Sequence, residues 1–203
     1  MRETIVGLDL AGSEKRQTGV CLMTESLKCK TELLHTDDEI IGLIKSVKPD
    51  LVTIDAPLSL PKGRKSLEKR EDVHFRQCDL ELRKKGIRFF PLTLGPMRKL
   101  TRRGIHLKDK LTDLGLTVIE VYPGGAQDIL SLPRQQHDLE RLINGLAEMG
   151  LKGLRGDMTG HEAHAVTCAL VGWLHLRGRS ETLGDVEEGV MIMPAPPQGP
   201  AYR

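Results

Sequence analysis

Aromatic side chains are scarce in this chain: three Phe, two Tyr and one Trp among 203 residues. Its core must therefore be aliphatic. With 39% hydrophobic residues the length still suffices to bury one without disulfides or a structural metal, whereas two full domains would be cramped. Val, Ile and Leu in that proportion suit helices packed on a sheet. Paired cysteine motifs are missing too. Cys21, Cys29, Cys78 and Cys168 are scattered, with no CxxC and no zinc-finger spacing, as expected of reduced thiols in a cytoplasmic protein rather than a secreted disulfide scaffold. Nor is there a long apolar run. The best, Ala165 to Leu174, is about half of the roughly 20 residues that cross a bilayer, and residue 4 already opens a strand. Neither export nor a membrane partner is expected.

What is present is charge, unevenly placed. The net formal charge is only +2, but the stretch from Lys62 to Lys110 holds 16 Lys or Arg against 6 Asp or Glu, a net of +10. The remainder carries 14 against 22, a net of −8. A basic segment on an acidic body suits a polyanion, because each neutralised phosphate releases condensed counterions. A solvated pair of helices would look the same.

The pattern along the chain alternates strands and helices. Thr4–Leu10 and Gly19–Thr24 are strands around a polar turn, so a hairpin opens the protein. A third strand is expected at Lys28–His35, then a helix at Asp38–Val47 capped by Thr36 or Asp37, with Ile40, Ile41, Leu43, Ile44 and Val47 as its buried face. Leu51–Ile54 is wholly apolar, as in a parallel strand covered on both sides, and Asp55 follows it. Residues 57–114 form a basic, largely helical insertion. Thr117–Val121 is the next buried strand, ended by Tyr122-Pro123-Gly124-Gly125. Helices are expected at Ala126–Leu130, His137–Met149 and Gly160–Arg177, and a last strand at Val190–Met193. The reading is one α/β domain over 1–193 with a mixed sheet, and a loose proline-rich tail at 194–203.

Three acids share one structural position. Asp9 lies near the end of a buried strand, Asp55 directly follows one, and Glu120 sits near the end of another, so an open sheet collects them at its carboxyl edge. Buried carboxylates repel one another and lose hydration, which hard divalent cations relieve. Each acid also has a plainer use. Asp9 and Asp55 could hold loop amides, and Glu120 could pair with an arginine of the insertion. In the late helix, polar side chains occur only at the N-terminal end, where His161 and His164 share a face. Thr159 and Glu162 match a capping box, the preferred use of Glu162, although it too is a candidate ligand.

These residues carry a resemblance. The blocks GLDLAGS (7–13), TIDAPLSLP (53–61), RQCDLELR (76–83), EVYPGGAQDIL (120–130), HEAHAVTCALVG (161–172) and LGDVEEG (183–189) are similar to the predicted ribonuclease H-like nucleases grouped as domain of unknown function family 429. The resemblance implies a ribonuclease H-like three-layer fold, with a mixed sheet opening in an antiparallel hairpin and helices on both faces. It also implies a nuclease that cuts a nucleic-acid phosphodiester with one or two Mg2+ or Mn2+ ions. Asp9, Asp55 and the pair His161/His164 fall on the superfamily's ligand positions, with Glu120 as an added acid. At the position of His164 the family leads one to expect an Asp; an imidazole there favours manganese over magnesium.

The substrate would be tracked by the insertion through Arg76, Arg83, Lys84, Lys85, Arg88, Arg98, Lys99, Arg102 and Arg103, although Arg76, Asp79 and Arg83 also fit a helix with internal charge pairs. Phe89 and Phe90 are candidates for base stacking, with core packing as the competing use. A homodimer is kept open. Two other readings stand beside the nuclease. One is a nucleic-acid-binding protein that kept the fold without catalysis, which His164 favours. The other is a phosphotransferase of the actin and sugar-kinase type, which needs two such domains and glycine-rich phosphate turns.

Overall fold

The computed structural model describes residues 3–69 and 71–196. The expected tail at 194–203 mostly lies outside the described residues, and Pro194 itself ends a strand. Seven strands form one sheet in the order β3-β2-β1-β4-β5-β7-β6, taking β1 as Thr4–Asp9, β2 as Thr18–Thr24, β3 as Cys29–Leu34, β4 as Leu51–Ile54, β5 as Val118–Val121, β6 as Ser180–Asp185 and β7 as Gly189–Pro194. β1–β2 and β2–β3 are antiparallel, β1–β4–β5–β7 are parallel, and β6–β7 is antiparallel. This mixed sheet opens in a hairpin and carries helices on both faces, which is the ribonuclease H-like arrangement.

Alternation along each strand decides what lies on each face. Val6, Leu8, Val52 and Ile54 pack beneath helix α1 (Asp37–Val47) and helix α3 (Gly95–Asp113), through Ile40, Ile44, Leu107 and Leu111. Ile5 and Leu51 point the other way, against helix α5 (Leu139–Glu148) and helix α6 (Gly160–His175). Between β5, β6, β7 and α6, a third cluster takes in helix α2 (Gln77–Lys84) and helix α4 (Pro123–Ile129). All four cysteines are buried and free. Among the described residues, no helix is long and apolar enough to cross a membrane.

Local chemistry explains the boundaries. Thr36 caps α1 in a reciprocal capping box with Glu39. α4 starts at Pro123, earlier than expected, because proline with its fixed φ suits the first helical position. α5 begins after Asp138, whose side chain accepts the Arg141 N–H. The strand β6 was not expected. Of its six residues only Leu183 is buried, so no alternation marks it, and its pairing with β7 makes it a strand. Among the described residues of 57–114, α2 and α3 are the only regular elements, less helix than expected.

α6 lies unusually close to the sheet. A Cβ on Gly7 would fall 2.2 Å from the Ala165 carbonyl oxygen, and one on Gly19 would fall 2.1 Å from that of His161. Both glycines thus let the helix N-terminus sit directly on β1 and β2.

Candidate metal centre

The register of the sheet sorts the acids. Leu8, Ile54 and Glu120 are paired across β1, β4 and β5, so they share one face, the one covered by α1 and α3. Asp9 and Asp55 follow one residue later and therefore face α6. Close contact of α6 with Gly7 and Gly19 then places its first turns over them. The ligand atoms of Asp9, Asp55 and His164 all lie within 4.8 Å of one another.

The geometry is open enough for an ion. His164 Nδ1 is 3.8 Å from Asp9 Oδ1 and 3.9 Å from Asp55 Oδ2, too far for hydrogen bonds. Two ligand bonds of about 2.1 Å span up to about 4.2 Å, so these separations suit donors on a shared cation. His164 Nε2 is buried and has no hydrogen-bond partner among the described residues. His161 sits half-exposed at the rim, and its Nδ1–H donates to Asp9 Oδ2 at 2.7 Å.

The electrostatics are those of two carboxyl groups buried side by side. Burial and the neighbouring charge of Asp9 push the Asp55 carboxyl well above its ordinary range. Burial opposes ionisation of Asp9 as well, but the hydrogen bond from His161 and the nearness of the His164 and His161 rings hold it below the usual value. The hydrogen bond to Asp9 raises His161 in turn. Two carboxylates and an imidazole form a donor set that a divalent ion fits.

Glu120 does not join them. Its carboxylate accepts Arg76 Nη1–H at 2.6 Å and Nη2–H at 2.7 Å, and the Leu58 N–H at 2.7 Å. Facing α3 rather than α6, it meets the arginine of the insertion, although Asp55 still feels its charge. Arg76 also binds Asp79 Oδ1 at 3.0 Å, Asp79 Oδ2 at 3.3 Å and Ser59 Oγ at 3.2 Å. Only 1% of it is exposed, so Arg76 holds the loop after β4 and is not available to a phosphate. The spacing of Arg76 and Asp79 signalled an internal pair, but nothing in the sequence named Ser59 or the Leu58 amide. Glu162 is likewise occupied. It completes the α6 capping box with Thr159 and accepts from Thr31 Oγ1 at 2.7 Å and Arg155 Nη2 at 2.8 Å. Burial works against its charge, yet these bonds lower its carboxyl below the usual range.

The other basic candidates divide. Arg103 is buried, bound to Asp37 Oδ1 and to the carbonyls of Ala11 and His35 at 2.7–2.8 Å, so it ties α3 to two loops rather than to a substrate. Lys85 pairs with Glu181 at 2.9 Å, and Arg102 pairs with Glu68. Arg83 lies over the Phe75 ring. Lys84, Arg88 and Lys99 are exposed and Arg98 half-buried, all four without an ion pair among the described residues.

A hairpin-led mixed sheet with Asp9 and Asp55 gathered at its carboxyl edge is the arrangement expected of a ribonuclease H-like fold. Residues 7–148 match the family described as "Protein of unknown function (DUF429)", and the chain belongs to that family. Among solved structures it is similar to RuvC of Thermus thermophilus in complex with a Holliday junction substrate, at 15% identity and a TM-score of 0.44. That similarity covers 86% of this chain and 96% of the other. A second structure of Thermus thermophilus RuvC is similar at 13% identity and a TM-score of 0.45, with the same coverage. No curated protein matches the chain.

Proposed function

We propose that the protein is a divalent-metal-dependent nuclease that hydrolyses a nucleic-acid phosphodiester. One observation carries the reading: Asp9, Asp55 and His164, from three distant parts of the chain, converge within 4.8 Å at the carboxyl edge of the sheet. Those three residues would hold Mg2+ or Mn2+, one ion or two. When bound, the metal supplies an activated water and charge stabilisation at the phosphate. His161 orients Asp9 through its Nδ1–H and can hold or return a proton at Oδ2. Glu120 and Arg76 act behind the site, fixing Leu58 and Ser59 and with them the loop that begins at Asp55. The partner is nucleic acid, drawn by the unpaired cations Lys84, Arg88, Arg98 and Lys99.

The test is metal-dependent cleavage of labelled single-stranded, double-stranded, hybrid and branched substrates. Asp9→Asn and Asp55→Asn are expected to lower cleavage at least about 100-fold, with Mn2+ the better activator. Full cleavage by either variant would overturn the assignment. The non-catalytic reading predicts instead that the wild type binds nucleic acid, with no cleavage in either metal.

A further inference from the structure

Four of the six aromatic residues in the protein, Phe75, Phe89, Phe90 and Tyr122, line one groove of about 960 Å3. Phe89 and Tyr122 also pack against the third core cluster, but core packing does not explain Phe90, which is 70% exposed. Arg83 and Arg88 stand in the same walls without an ion pair among the described residues. Arg134 is there too, but its charge is matched by Asp128 at 2.5 Å. The walls are braced: Phe89 meets Phe75 edge-on at 6.0 Å, and Arg83 lies 4.1 Å above the Phe75 ring. The Tyr122 hydroxyl donates to the Arg88 carbonyl at 2.7 Å and accepts from Arg134 Nη1 at 3.2 Å. Phe89, Phe90 and Tyr122 also line a neighbouring cavity of about 160 Å3, and Asp55 is among the residues of its wall.

One exposed ring among partly buried ones, beside guanidiniums without ion pairs among the described residues, matches one chemistry. An unpaired nucleotide offers a base face for stacking and a phosphate for charge, whereas in a duplex the base faces are already covered by their neighbours. A polyanion without bases would use the arginines and leave Phe90 idle. We propose that this groove binds an unpaired stretch of nucleic acid, with Phe90 stacking a base and Arg83 and Arg88 taking phosphates, and that it leads the strand to Asp55. The last step rests on the nuclease reading of the metal centre; the binding does not.

The two can be tested apart. Binding of the full-length protein to short fluorescein-labelled DNA and RNA strands, and to blunt duplexes of the same sequence, is measured by anisotropy in EDTA, where no cleavage occurs. Single strands are expected to bind at least about tenfold tighter than duplex, and the two strand types show whether the sugar matters. Phe90→Ala should weaken binding about 5- to 100-fold, the range for loss of one stacked base, while Phe90→Trp retains it. Arg88→Ala should flatten the salt dependence by about 0.7 in the log–log slope, one phosphate's worth on a single strand. Because Phe90 is exposed, its thermal midpoint should not change. The groove assignment is overturned if Phe90→Ala and Arg88→Ala bind like the wild type, if duplex binds as well as single strand, or if inorganic polyphosphate competes equally against both proteins. Strand binding that survives in EDTA, with no cleavage in Mn2+ or Mg2+, sinks the nuclease reading alone.

Discussion

Replacing Arg76 by methionine removes one cation from between two buried carboxylates. Five side-chain hydrogen bonds are lost, two to Glu120, two to Asp79 and one to Ser59. Glu120 keeps only the Leu58 N–H, and Asp79 keeps the Arg76 backbone N–H. Breaking a buried pair from one side costs about 3–5 kcal/mol, because the partner's charge stays behind without compensation. In a domain of this size each kcal/mol moves the thermal midpoint by about 2–4 °C, so Arg76→Met should melt about 6–20 °C lower.

The deficit should depend on pH. An unpaired buried carboxylate has a folded pKa above its unfolded value, so the folded variant takes up protons more readily than the unfolded chain. Its loss is then largest at neutral pH and shrinks as pH falls through the raised pKa toward the unfolded value of about 4.3. Adding Glu120→Gln should return part of the stability at pH 7, which a double-mutant cycle measures. Urea titrations of the four proteins at pH 7 and pH 5 make the comparison. A loss below about 1 kcal/mol, or one unchanged by pH and by Glu120→Gln, would refute the claim that this arginine neutralises the pair.

Gly19→Ala should push α6 off the strands, since the added Cβ has only 2.1 Å to the His161 carbonyl; a loss of about 1–3 kcal/mol in urea and weaker manganese binding by calorimetry are expected together. His161→Ala removes the hydrogen bond that orients Asp9 and should weaken manganese binding about 10- to 100-fold, with the melting midpoint little changed because the side chain is half-exposed. Unchanged affinity would mean that His161 does not position Asp9.

Much of the frame was legible in the residues themselves. Local signals are local in cause: the apolar run 51–54, the capping residues Thr36 and Thr159, and the apolar 165–174 stretch each act within a few positions, and each places its element where expected. Asp9, Asp55 and His164 were readable as a group because strand ends and a helix start fix their positions along the chain.

The face each side chain takes is a different matter, because it depends on register between strands that are far apart in sequence. Glu120 sits near a strand end as Asp9 and Asp55 do, yet it lies in the row of Leu8 and Ile54, and a one-residue difference in a two-residue period turns it from the side of Asp9 and Asp55 to Arg76. The same holds for the cations. Asp79 three residues on marked Arg76 as one half of a pair, but nothing local distinguishes Arg103, which is buried and committed, from Arg88 and Lys99, which face solvent. β6 exists only through its partner β7, and the aromatic groove only through the meeting of the insertion with the segment after β5. Residue types along the chain thus determined which chemistry was on offer, while packing between distant segments decided which of those groups are spent on holding the fold and which remain free to act.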